Sequence, residues 1–182
     1  MRRAASRGGP GEAGPAKGAP RRSRKRAPLG GSYEAALQLA FDQIARRPRS
    51  EAEVRRKLAS AGADEAVMER VLVRLRELRY LDDDAFARQR ARGLAARGFG
   101  PLAAASRLAL AGVSHEDTRR GVEEAFDEET TLARRALERR LKGRGQDELD
   151  RKERDRLLRW LAGRGFSPSA IRAAFRPGEP AD

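Results

Sequence analysis

Apolar residues recur along this chain at helical spacing, and no segment carries a convincing strand pattern. Tyr33, Leu37, Ala40, Phe41 and Ile44 form one stripe. Met68, Val71, Leu72, Leu75 and Leu78 form another, at i, i+3, i+4, i+7 and i+10. Apolar residues three or four positions apart share a helix face, so both stripes predict amphipathic helices. Between them, Ser50-Glu51-Ala52-Glu53 has the form of a capping box that opens a further helix.

A phrase then recurs three times: a leucine, three residues, a glycine, one residue, and an aspartate or serine. It occurs as Leu58 to Gly62 and Asp64, Leu108 to Gly112 and Ser114, and Leu161 to Gly165 and Ser167. The glycines are 50 and 53 residues apart. Glycine just past a helix reaches the left-handed conformation at little cost, and Asp or Ser two residues later is suited to cap the next helix. Apolar residues flank each copy in matching places: Val54, Ala104 and Leu157 before it, then Met68 and Leu72, Thr118 and Val122, Ile171 and Phe175 after it. Thr118 is the weak member, and the middle unit is expected to pack least well there.

A period of this size, with matched flanks, predicts a stacked helical array. The fold expected is all-α: an elongated tandem array of three three-helix repeats at residues 32–81, 82–126 and 127–176. A basic tail (1–31) precedes them and a short C-terminus (177–182) follows, both expected to be disordered.

Composition adds three constraints. Aromatic content of 5% requires cores of Leu, Ala and Val, which favours small helical units. The chain has no cysteine, which rules out disulfides and thiolate metal sites and suits a reducing cytoplasm. No apolar run approaches the ~18 residues of a membrane helix.

The formal charge of +13 is uneven: residues 1–31 hold nine Lys and Arg against Glu12 alone, a net +8. That stretch is rich in Gly and Pro and lacks periodic apolar residues, so neither a signal peptide nor an amphipathic transit helix fits it well. The abundance of Arg and Ala fits a GC-rich coding bias, which lowers the weight of any single arginine.

Catalytic chemistry is hard to find. There is no G-x-x-x-x-G-K-[ST] loop and no G-x-G-x-x-G after a strand. The single histidine, His115, opens a predicted helix, where a surface position is expected. Asp82, Asp83 and Asp84 could hold Mg²⁺, but acids entering a helix usually cap it and face the positive end of its dipole. No cofactor, no metal and no enzymatic activity are expected.

The junction Leu78-Arg79-Tyr80-Leu81-Asp82-Asp83-Asp84-Ala85-Phe86-Ala87 resembles the signature of the RecX family of recombinase regulators. So do Arg49-Ser50-Glu51 with Val54 to Leu58, Gly100-Pro101, and Gly165-Phe166-Ser167. The resemblance spans about residues 33–176. Arg79 stands where the family usually has glycine. A β-carbon makes the left-handed conformation costly, which predicts a different ending for this helix. Tyr80, Leu81, Asp82, Asp83 and Phe86 are read as structural, with Tyr80 and Phe86 packed into the junction between the first two units.

What the resemblance implies is binding to the RecA recombinase, free or as its filament on single-stranded DNA. The consequence would be inhibition of its ATPase, strand exchange and coprotease activities, and so regulation of DNA repair, recombination and the SOS response. The protein is then expected to be a cytoplasmic monomer that contacts single-stranded DNA, with double-stranded DNA as a further candidate partner, but no membrane.

Candidate contact residues are Arg55, Arg56 and Lys57 in the first unit, Arg90, Arg92 and Arg97 in the second, and Arg134, Arg135, Arg139 and Arg140 in the third. For each, the plain alternative is a solvated helix face paired with nearby Glu. Two other readings stay open: a basic helical nucleic-acid-binding protein acting without RecA, and an adaptor that uses the array as a peptide-binding surface.

Overall fold

The computed structural model describes residues 29–176, among which there are nine α-helices and no strand. The disorder expected for 1–28 and 177–182 falls outside the described residues. The first unit comprises α1 (Tyr33–Arg46), α2 (Glu51–Ser60) and α3 (Glu65–Glu77). The second comprises α4 (Asp83–Ala96), α5 (Pro101–Ala111) and α6 (His115–Ala125), and the third α7 (Glu129–Leu141), α8 (Arg151–Gly163) and α9 (Pro168–Ala174).

Each unit closes on its own core. Leu58, Leu72 and Leu75 centre the first, Phe86, Leu94 and Leu108 the second, and Leu137, Leu161 and Phe166 the third. Leu132 packs against both the second and third cores. Among the described residues, hydrogen bonds join unit one to unit two and unit two to unit three, none joins unit one to unit three, and every ion pair lies within a unit. The arrangement is therefore a linear array.

The repeated phrase forms the same turn three times. Gly62, Gly112 and Gly165 have φ of 75°, 82° and 85°. In each turn the glycine N–H donates to a carbonyl three residues back, and the next N–H donates to the carbonyl of the phrase's leucine: Ala63 to Leu58, Val113 to Leu108, Phe166 to Leu161. This paired closure needs a residue at positive φ, which is why the glycine is there. Ser114 and Ser167 cap the following helices by accepting from Asp117 and Ala170 N–H. Asp64 holds the same position without a side-chain cap bond.

These turns also stack the units. Gly100 and Leu102 N–H, at the start of α5, donate to the Arg164 and Gly165 carbonyls at the end of α8, at 2.8 and 3.1 Å. The end of α5 docks in turn on the start of α2, where the Ser50 hydroxyl donates to the Ala111 carbonyl at 2.6 Å. The middle helices thus run head to tail, and the carbonyls that end one helix meet donors at the start of another.

Leu29 and Gly30 dock on the turn that follows α2, donating to the Ala61 and Gly62 carbonyls at 2.9 and 2.8 Å. Leu29 to Gly31, assigned above to the tail, therefore belong to the folded unit.

Other expectations are corrected by packing. Arg79 adopts φ 57°, and Tyr80 N–H reaches the Leu75 carbonyl at 2.9 Å, so this helix ends like the others despite its β-carbon. Leu78 is not a stripe residue but the exposed C-cap of α3. The Ser50 box is half-formed: Ser50 accepts from Glu53 N–H, but the Glu53 carboxylate turns to Arg47 and Arg49. The complete box is Asp150 with Glu153 at the start of α8.

In the middle unit Thr118 is buried with its hydroxyl unpartnered. Close packing there comes instead from Gly121, where a β-carbon would lie 2.9 Å from the Ala87 carbonyl carbon.

Candidate functional site

The ten basic residues singled out in the sequence have different fates. Arg55 is held by Glu65 and Glu69 at 2.6 and 2.5 Å, and Arg92 pairs with Glu124. The Arg55 hydrogen bond holds the Glu69 carboxyl below its ordinary value. Arg56 reaches across the first junction to the Leu110 and Ala111 carbonyls, and so serves the array. The Arg134 Nε is buried without a partner. Among the described residues, Lys57, Arg90, Arg97, Arg135, Arg139 and Arg140 make no ion pair.

Three of these come together at the second junction. Arg97, Arg139 and Arg140 line a hollow of about 250 Å³ with Gly98, Ala136, Trp160 and Arg164. Arg139 donates to the Ala96 carbonyl at 2.9 Å and Arg164 to the Arg97 carbonyl at 3.1 Å, which fixes two guanidiniums across the unit boundary. Arg97 is steadied by the Gly93 carbonyl of its own helix. Arg164 lies 4.8 Å from the Trp160 ring centre and 4.7 Å from that of Phe99, and Arg140 lies 5.7 Å from Trp160. Arg107 covers Phe99 at 3.7 Å.

No carboxylate lines this hollow. Guanidiniums brought together without a counter-charge repel one another, and an anion between them relieves that repulsion. Sequence reasoning missed Arg164, Trp160, Phe99 and Arg107. A signal was present: Arg-Gly-Phe occurs at both 97–99 and 164–166, the two chain turns that meet here.

A second hollow, of about 270 Å³, is lined by Arg47, Pro48, Phe86, Gln89, Arg90, Gly93 and Arg97. Arg97 borders both hollows, so α4 carries a basic path from one junction to the other.

The signature residues act in the first junction. Asp82 caps α4 through Ala85 N–H at 2.9 Å, Asp83 accepts from Glu51 N–H across the junction at 2.9 Å, and Asp84 pairs with Arg88 and Arg120. Burial pushes the Asp83 carboxyl above its ordinary value, although the Glu51 bond opposes this. Leu81 and Phe86 are buried. Tyr80 is not packed into the junction: it is 53% exposed and sets its ring edge-on to Phe41 at 5.2 Å. No cluster of metal-ligating side chains is found among the described residues.

Fold and site together define a tandem array of three-helix units with cation-lined junctions. Family models for the first and third three-helix domains of RecX match residues 36–75 and 127–175. Regulatory protein RecX of Halorhodospira halophila is 33% identical over 153 residues, covering 84% of this chain and 94% of the relative. That of Xanthomonas oryzae pv. oryzae is 31% identical over 140 residues, covering 77% and 86%. The crystal structure of RecX from Lactobacillus salivarius superposes with a TM-score of 0.64 at 20% identity, over 78% of this chain and 93% of that one. This chain belongs to the RecX family of regulatory proteins.

Proposed function

We propose that this protein binds the RecA recombinase and its filament on single-stranded DNA, and mainly inhibits RecA's ATPase, strand exchange and coprotease activities. Membership of the RecX family carries the reading. It acts without catalysis and without a cofactor, as a monomer in the cytoplasm, and so regulates DNA repair, recombination and the SOS response. Among the described residues no helix is long and apolar enough to cross a membrane. A linear array exposes long surfaces, and one lying along a filament bridges neighbouring subunits and hinders their movement.

The test is RecA's ATP hydrolysis on single-stranded DNA with this protein titrated in far below the RecA concentration. Inhibition at such ratios means action on the filament. Inhibition only when the protein saturates the DNA means competition for DNA and removes the proposal.

A specific observation favours one alternative, a nucleic-acid-binding protein acting without RecA: the carboxylate-free hollow at the second junction. Removing residues 1–28 separates the two readings, and the cut stops there because Leu29 and Gly30 bond into the first unit. Weaker binding to naked DNA with RecA inhibition intact supports RecA regulation; equal loss of both supports the alternative.

A further inference from the structure

From the second junction we infer a contact point for single-stranded nucleic acid, in which the guanidiniums of Arg97, Arg139, Arg140 and Arg164 take phosphates and Trp160 takes the face of a base. It deepens the proposed function, because a protein working on a nucleoprotein filament meets an exposed strand.

The charge is unanswered: none of the four guanidiniums has an ion pair among the described residues, and no acid lines the hollow. The geometry is set beforehand. Arg139 is tethered to the Ala96 carbonyl and, through Nε, to the Arg135 carbonyl, and Arg164 to the Arg97 carbonyl; a guanidinium has five N–H donors, so each keeps some for a ligand. Gly98 is buried there with φ 75°, and a β-carbon on it would lie 3.1 Å from Arg139 Nη2.

Trp160 is half-buried and its ring is bordered by Arg164 and, farther off, Arg140. Arg140 makes no hydrogen bond to any described residue, so it is free to leave the ring for a phosphate and give up its place to a base. Guanidinium with aromatic in one groove is the general form of a single-strand site, since every base has a π-face. Continuity argues for a polymer over a free anion: Arg97 also borders the hollow that holds Arg90, roughly 10 Å back along α4. A strand following that path meets further cations.

Trp160 is the only tryptophan of the chain, so its emission reports on this hollow. The experiment titrates the full chain, without RecA, with a single-stranded thymidine oligonucleotide, its duplex form and polyglutamate. Saturable quenching by the single strand is expected, with less by the duplex and by polyglutamate. In Arg140→Ala, checked for unchanged helicity, the affinity should fall several-fold and the slope of log affinity against log salt should flatten by about 0.7.

Binding of a labelled strand that leaves Trp160 emission unchanged overturns the inference, as does quenching by the duplex or by polyglutamate equal to that by the single strand. RecA inhibition is measured separately. Failure here leaves that reading standing, and loss of RecA inhibition leaves the quenching result intact.

Discussion

Gly165 backs onto Ala103 so closely that a β-carbon on the glycine would lie 2.7 Å from the alanine's own. The same residue has φ 85°, so backbone conformation and contact between units both require glycine. Gly143 has φ 91° but open space around it. Gly165→Ala is expected to destabilise the protein by more than about 2 kcal/mol, adding overpacking to backbone strain. Gly143→Ala should cost only about 1 kcal/mol. Urea unfolding of the two variants checks the difference, and near-equal losses would mean that the junction yields.

Arg79 carries the strain that glycine avoids elsewhere, at φ 57°. Arg79→Gly should raise stability by about 0.5–1 kcal/mol, the relieved strain being partly offset by the greater freedom of glycine in the unfolded chain. The denaturant midpoint should rise with an unchanged slope.

The fully buried Ser50 hydroxyl holds two helices at once, accepting from Glu53 N–H and donating to the Ala111 carbonyl. Ser50→Ala is expected to cost about 1–3 kcal/mol, a lost cap together with a lost buried bond. Because Arg56 donates to the same carbonyl, a double-mutant cycle with Arg56→Ala should show coupling. Strict additivity would show that the two bonds act separately.

Phe86 is 7% exposed in the core of the second unit. Phe86→Ala should cost about 3–5 kcal/mol and appear as lost folding, not as a clean binding defect. A stable, folded variant that no longer binds RecA would assign the ring to the partner.

Acid should weaken the fold. Glu69 and Glu153 are held below their ordinary values by hydrogen bonds from Arg55 and Arg144, and Asp117 by those from Ser114 and Arg120. Lowered carboxyls mean that the unfolded chain binds more protons in this range. Their stabilisation is present above the ordinary carboxylate range and is lost as pH falls through the folded values. Asp83 runs the other way, favouring the fold on acidification. Three groups outnumber one, so the thermal midpoint should drop as pH falls below about 4. A midpoint that holds or rises would show Asp83 dominating.

The helices, their triplets and their glycine turns were legible in the sequence because they rest on local rules. Leu58, Leu108 and Leu161 lie on the faces their spacing assigns, and all three are fully buried. The glycine four residues past each of them sits at positive φ, as the closing of a helix requires.

Tertiary structure decided which charges are free. Arg55 and Arg92 look like Arg90 and Arg140 in the chain, but Glu69 and Glu124 come to them from other helices, 14 and 32 residues away. Arg164 meets the Arg97 carbonyl across 67 residues, and with Trp160 it builds a hollow that exists only where two units touch. Spacing along the chain fixes the face a residue occupies on its helix. The partner that face meets depends on how the helices stack, and that set the character of the basic surface here.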